Sequence, residues 1–405
     1  FQFMEIYRMK KSLFAVAAMS AVAGAAQAQS SVTVYGLLDV GYVGSNQNVA
    51  QAQSTYTAQQ KTTNSSFNNS AESTSRLGFK GVEDLGGGTS AFFTVETGLT
   101  PGSSNFTTIN NRQSFVGLKK NGVGQFALGT QYTTVFNAVS ATDPGQLNNV
   151  VGNVIYAVSP VGGVTTINGV SSTTSTMVTG QSDAFSSRAN QAITFNSDTF
   201  AGVQVNAMYS LSNSNSTQYG SSSGGNSNFN GWGLGANYTW NKLFLTANYQ
   251  ALKSFATAYT SLTSPLPAVW GGTTNQGSET QDNQTYIAGT YDFGILKAYG
   301  QWVNRKVTDT LNSNYYAKRN AQQLGVRSFI TPTVEAWASI GNGKITSFGV
   351  SNPSANFSAY QVGGNYWLSK RTNLYTIFGS SQTSSSTTFT AGSANNYALG
   401  LRHTF

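Results

Sequence analysis

Residues 395–405 read NNYALGLRHTF, and the reading of this stretch decides the fold. Tyr397, Leu399, Leu401 and Phe405 share one parity, and Ala398, Gly400, Arg402 and Thr404 share the other. That is the two-residue period of a strand with one apolar face. A strand that runs into a final aromatic residue is expected to have a partner for its backbone and an apolar medium around its side chains. The nature of that medium decides what the protein is.

Composition narrows the choice. Only 9% of the 405 residues are charged, against about 25% in ordinary soluble domains. The chain also carries 43 glycines and 12% aromatics, with a mean hydropathy of −0.21. Beyond the N-terminal region no apolar run reaches the roughly 18 residues that a spanning helix requires, so a membrane role has to use strands. There is no cysteine, which excludes thiol catalysis, disulfides and thiolate metal sites. The single histidine, His403, lies in the last strand and reads as an interfacial residue. No cofactor is expected.

The N-terminal region has a different character. MKKSLFAVAAMSAVAGAAQAQ (residues 9–29) has a basic head at Lys10 and Lys11, an apolar run and a small-residue site, the layout of a secretory signal. Cleavage is expected after Ala28. Residues 1–8 are expected to lie upstream of the natural start at Met9, so residues 1–28 are set aside and residues 29–405 form one barrel domain. Removing Arg8, Lys10, Lys11 and Glu5 from 22 basic and 14 acidic residues leaves about +6, a mild preference for anionic partners.

From Ser31 onward, short alternating segments follow one another. Sixteen are expected, at about 31–44, 72–82, 89–98, 112–119, 125–130, 188–197, 203–211, 231–240, 243–252, 285–293, 295–304, 320–330, 333–342, 358–367, 372–380 and 396–405. Their connections alternate between tight turns, such as VEDLGGG (82–88), NK (241–242) and LSKR (368–371), and long links. A sheet with every second connection short has one plain end and one elaborate end, the anatomy of a transmembrane barrel with short periplasmic turns and long extracellular loops. Trp232, Leu234, Ala236, Tyr238 and Trp240 oppose Gly233, Gly235, Asn237 and Thr239, which places apolar residues toward lipid and polar ones toward water. Tyr35, Tyr42, Trp240, Tyr291, Trp302, Tyr366 and Tyr397 are expected to form the interfacial girdles. An unpaired backbone group in hydrocarbon costs several kcal/mol, so the last strand must close on the first. Sixteen strands enclose a water-filled lumen.

At SSVTVYGLLDVGY (30–42), SRLGFKGVEDLGGG (75–88), NRQSFVGLK (111–119) and YALGLRHTF (397–405) the chain resembles the general porins of Gram-negative beta-proteobacteria. The resemblance implies a homotrimer of 16-stranded antiparallel barrels in the bacterial outer membrane. It further implies a third extracellular loop folded into the lumen, and passive diffusion of small hydrophilic solutes. It also implies that Phe405 is the signal read by the barrel-assembly machinery.

The link from Gln131 to Ser187 follows the fifth strand, is nearly uncharged and is expected to narrow the lumen, with Asp143 and Asp183 its only charged residues. Arg76 and Lys80 lie on the inward parity of the second strand, and Arg112 and Arg188 begin the fourth and sixth. The three arginines match the family's basic cluster, which lines the constriction in anion-preferring relatives. Glu96, Asp143 and Asp183 are the candidate opposing charges, and opposed rows would set a transverse field. Arg305, Lys306, Lys318 and Arg319 are expected to be solvated or to face lipopolysaccharide. The expected activity is a passive pore with weak preference for small anions. The alternative is a substrate-specific channel for phosphate, organic anions or sugars, for which the inward aromatics Tyr299 and Trp337 show no evident alignment. An outer-membrane enzyme lacks a convergent Ser, His and Asp set. Nucleic-acid binding is not expected, because the basic residues are scattered.

Overall fold

The computed structural model describes residues 31–53, 56–102, 110–157, 178–181, 184–216, 225–256, 278–310, 313–314, 316–348, 354–384 and 392–405. The expected leader (1–28) and Asp183 lie outside them. The first half of the sheet comprises β1 (Ser31–Gln53), β2 (Tyr56–Asn69), β3 (Arg76–Gly86), β4 (Thr89–Gly98), β5 (Asn110–Lys120) and β6 (Gly124–Tyr132). A helix, α1 (Thr134–Thr142), follows, and then β7 (Val178–Gln181), β8 (Ser186–Ser197), β9 (Val203–Ser216) and β10 (Gly225–Trp240). The second half comprises β11 (Leu243–Ala256), β12 (Ser278–Asp292), β13 (Lys297–Asp309), β14 (Tyr316–Phe329) and β15 (Val334–Phe348). It ends with β16 (Ser354–Trp367), β17 (Thr372–Thr383) and β18 (Gly392–Thr404).

The terminal stretch finds its partner in β1. β18 pairs antiparallel with β1 from Leu37↔Thr404 to Val49↔Gly392, and Phe405 and Gly36 exchange backbone hydrogen bonds of 3.1 and 3.2 Å. The sheet is therefore a closed antiparallel barrel of 16 staves. Two segments bring the strand count above that number. β2 and β3 pair with successive parts of β1 and form one stave, broken at residues 70–75. β7 is a four-residue strand laid against β8. Among the described residues no helix is long and apolar enough to cross a membrane.

The strands overrun their expected bounds at the end with long connections. β1 continues to Gln53, and residues 56–69, expected as part of a loop, form β2. The extension is rich in Asn, Gln, Ser and Thr. Where both faces meet water the alternation disappears, although the ladder of backbone bonds continues.

Alternation holds where it was expected. Leu234 (53% exposed), Trp240 (61%) and Leu399 (62%) lie on the outer face, while Gln250, Gln284 and Asn396 on the inner face are fully buried. Tyr42 packs against Phe67 and Tyr397 at the upper edge of the outer apolar band, and Tyr291 against Phe293 at the lower edge. Tyr35 is the exception among the expected girdle residues. It faces inward, where its hydroxyl donates to Glu96 Oε2 at 3.1 Å. Parity places Tyr35 with Asp39, and its position near a strand end was the weaker cue.

Candidate functional site: the lumen and its loop

The chain leaves β6 and turns inside the barrel. Thr133 caps α1, its hydroxyl accepting from Phe136 N–H at 3.1 Å and donating to Ser186 C=O at 2.7 Å. That bond satisfies one of the open donors of the first helical turn. Val135 and Val139 are fully buried. Pro144 follows the helix and cannot continue it. Asp143 Oδ2 accepts from Leu147 N–H at 2.7 Å, closing the turn at ATDPGQL (141–147).

A row of inward glutamines, all at most 5% exposed, receives the loop. Gln250 Oε1 accepts from Val135 N–H at 3.4 Å, and Gln284 Oε1 accepts from Ser186 N–H at 2.8 Å. Gln323 Oε1 accepts from Val154 N–H at 3.1 Å, and its Nε2 donates to Gln301 at 2.9 Å. Gln361 Nε2 donates to the carbonyls of Val150 and Val151 at 2.6 and 2.9 Å. A primary amide is both donor and acceptor, so it can satisfy irregular backbone without burying charge. Glycines make the room. A Cβ on Gly341 would collide with Val154, and one on Gly379 with the Val151 carbonyl.

The tip of the loop is tied to the break between β2 and β3. Asn149 N–H donates to Ala71 C=O at 2.9 Å, and its side chain to Ser70 C=O at 2.7 Å. That break is itself held inward. Asp39 Oδ2 accepts from the N–H groups of Glu72 and Ser73 at 2.8 and 2.7 Å, and Tyr375 donates to Asp39 Oδ1 at 2.6 Å. Arg402 lies 3.4 Å from Glu72. Sequence reasoning missed this knot, because residues 45–71 carry no alternation to locate the break.

Three of the candidate basic residues meet on one wall. Arg112 Nε donates to Glu96 Oε1 at 2.7 Å, and its Nη2 donates to Tyr132 at 2.8 Å. Arg76 Nε lies 3.7 Å from Glu96 Oε2 with its side chain 30% exposed. The guanidinium of Arg188 sits 5.4 Å from the Tyr132 ring. Glu96 thus shares the wall of the arginines. Lys80 keeps the inward parity nearer the short-turn end, 5.3 Å from the ring of Tyr35. Tyr132, stacked on Phe136 at 4.2 Å, links the wall to the helix. It was not singled out beforehand, although it lies two residues beyond an expected strand.

In a ring of 16 staves the one facing β5, which carries Arg112, is eight further on, at β14. Asp143 lies there, bound to Asn153 at 2.7 Å and Gln323 at 3.4 Å, and is 3% exposed. Burial pushes its carboxyl above the ordinary carboxylate range, against the bonds from Leu147 and Asn153 and the nearby Arg327. Burial likewise raises the Tyr156 hydroxyl.

Two expectations are overturned. Arg305 and Arg319, placed in solvated loops, are each 2% exposed on the inner face. Arg305 pairs with Asp282 at 2.7 Å, and Arg319 donates to Val154 C=O at 2.7 Å. β13 and β14 run on past the expected ends, and the same parity carries both side chains inward. Tyr299 and Trp337 are 8% and 4% exposed, with Trp337 packed beneath the loop beside Val150. Among the described residues no cluster of three potential metal ligands occurs.

A family profile described as Gram-negative porin matches residues 15–386. An outer membrane porin protein of Bordetella pertussis is 35% identical over 143 residues, 34% of this chain and 37% of the relative. Outer membrane porin protein 32 of Delftia acidovorans is 39% identical over 144 residues, 34% of this chain and 38% of the relative. The chain thus aligns with a little over a third of the length of these curated relatives. Among solved structures, the anion-selective porin from Comamonas acidovorans superposes with a TM-score of 0.67 at 21% identity, covering 93% of this chain and 100% of that one. OmpT of Vibrio cholerae gives 0.59 at 14% identity, covering 93% and 98%.

Proposed function

Because the chain belongs to the Gram-negative porin family, we propose that it forms a water-filled outer-membrane channel for passive diffusion of small hydrophilic solutes and ions, with a weak preference for anions. No catalytic role is assigned. The observation that carries the selectivity is the wall of Arg76, Arg112 and Arg188, which holds Glu96 as its one carboxylate among the described contacts. Two net positive charges about 7 Å from an ion in water contribute about 1 kcal/mol, and physiological salt cuts this to about 0.5, which enriches anions roughly two-fold, depletes cations as much and so favours anions over cations about five-fold. The preference is therefore weak and fades with ionic strength. Lys80 adds positive charge nearer the short-turn end, and Asp143 sets the loop rather than the field.

The test is the reversal potential in a KCl gradient across a planar bilayer. Anion preference that diminishes from about 0.1 M to 1 M salt supports the reading, and a cation-selective potential overturns it. Replacing Arg76, Arg112 and Arg188 together with Gln is expected to abolish the preference while the pore still conducts. A homotrimer is proposed from the family, and one structural neighbour is described as a trimer form. Crosslinking of the protein in outer membranes to a three-subunit product checks it.

A further inference from the structure

The outer wall carries a feature that pore function does not use. On β13, β14 and β15, just above the apolar band, Lys306, Lys318 and Lys344 face outward. Lys306 and Lys318 are direct cross-strand partners, and Lys344 lies opposite Asn320, two residues from Lys318. Like charges directly opposite one another are destabilising, and Lys306 is met in part by the Tyr316 ring 4.7 Å away. Among the described residues no carboxylate is within ion-pair distance of any of the three.

Below the lysines the band is hollowed. Gly289 and Gly300 supply no side chain, and Ile287, Trp302, Leu324 and Ile340 rise around them to enclose a groove of about 750 Å³. A second hollow of about 300 Å³ shares Trp302, Gln322 and Asn342 with the first and extends up to Lys344. Gln322 donates to Asn342 at 3.1 Å, forming an amide rim between the two. From bottom to top the surface offers a slot for hydrocarbon, a row of amide hydrogen bonds and a triad of ammonium groups.

The geometry points to a binding site for a phosphorylated, acylated glycolipid of the outer leaflet. Acyl chain lies over Gly289 and Gly300, sugar hydroxyls meet Gln322 and Asn342, and phosphate bridges Lys306, Lys318 and Lys344. A second copy of this chain is the competing occupant of an apolar outer face, and charge argues against it. Among residues whose side chains are described, no carboxylate faces outward above the band. Glu83, Asp84, Asp198 and Asp292 all lie at the short-turn end, and Asp282, Asp309 and Glu335 face the lumen. The lipid phosphate supplies the counter-charge that the three ammonium groups lack among the residues whose side chains are described.

This site rests on the outer-membrane reading above, and the experiment separates the two. Full-length protein refolded in detergent free of glycolipid is titrated with bisphosphorylated lipid A, dephosphorylated lipid A and phosphatidylglycerol, and bound lipid is counted by native mass spectrometry. Wild type is expected to bind bisphosphorylated lipid A at least ten-fold more tightly than either other lipid. Lys306→Gln, Lys318→Gln and Lys344→Gln together are expected to remove that margin. Gly300→Leu is expected to weaken all three lipids by filling the slot. Equal retention by the triple variant, equal binding of phosphatidylglycerol by wild type, or a change in subunit number in the triple variant would each overturn the site. Bilayer conductance of the same preparations is expected to be unchanged, and a pore that fails to conduct would strike the channel reading alone.

Discussion

Glu96 shows how one residue can temper a whole wall. It accepts from Tyr35 and Arg112 and lies near Arg76, so it both anchors the arginines and subtracts from their charge. Glu96→Gln keeps the shape and removes the subtraction, and the KCl reversal potential is expected to move toward stronger anion preference. Asp143 acts differently. Its carboxyl lies above the ordinary range through burial, so its contribution to the docked loop is complete below about pH 4 and is lost as pH rises through the raised value. Proteolysis of the loop is therefore expected to be slower in mild acid than at about pH 8, and Asp143→Asn should flatten that dependence. Gln361→Ala leaves the Val150 and Val151 carbonyls without their amide donor, at a cost of about 1–3 kcal/mol. More frequent open-state current fluctuation is the expected readout.

Among the elements, strands between the two aromatic edges were legible because lipid outside and water inside impose opposite demands on adjacent residues. The three arginines were legible as well, since each begins or lies within such a strand. Above the band the sequence fell silent. β2 and the true ends of β13 and β14 lie beyond the band, where no lipid enforces alternation, and the break at residues 70–75 is set by side chains from distant parts of the chain, Asp39, Asn149 and Tyr375. The glutamine row was hidden for another reason. Inward Gln250, Gln284 and Gln361 look like any polar lumen residue until the loop is laid against them. The inward glycines carry an element-level prediction. Gly341→Val places a branched side chain where Val154 now packs, so the loop should lift from the wall and single-channel conductance should rise. The barrel itself should persist, as seen by heat-modifiable migration in gels.

At the level of the whole molecule, closure is set by a single seam, β18 on β1, finished by the mutual bonds of Phe405 and Gly36. Removing residues 397–405 leaves one edge of β1 and one edge of β17 unpaired in hydrocarbon, where each open group costs several kcal/mol. No detergent-resistant folded species is expected from that truncation. Phe405→Ala retains the backbone seam, so a defect confined to insertion in cells, with normal refolding in detergent, would mark the residue as an assembly signal. The glutamine row also bears on what happens to a traveller in transit. The bolster that carries the loop is built of neutral amides, with Arg305 and Arg327 each paired to a carboxylate and Arg319 buried against the loop. The facing flank keeps Arg76 30% exposed, so the lateral field is lopsided. An amino acid or other zwitterion slipping past should be turned broadside, its acid group swung toward Arg112 and its amine trailing toward the mute amides, and molecules too stiff or too long to pivot should pass more slowly than their bulk alone would dictate.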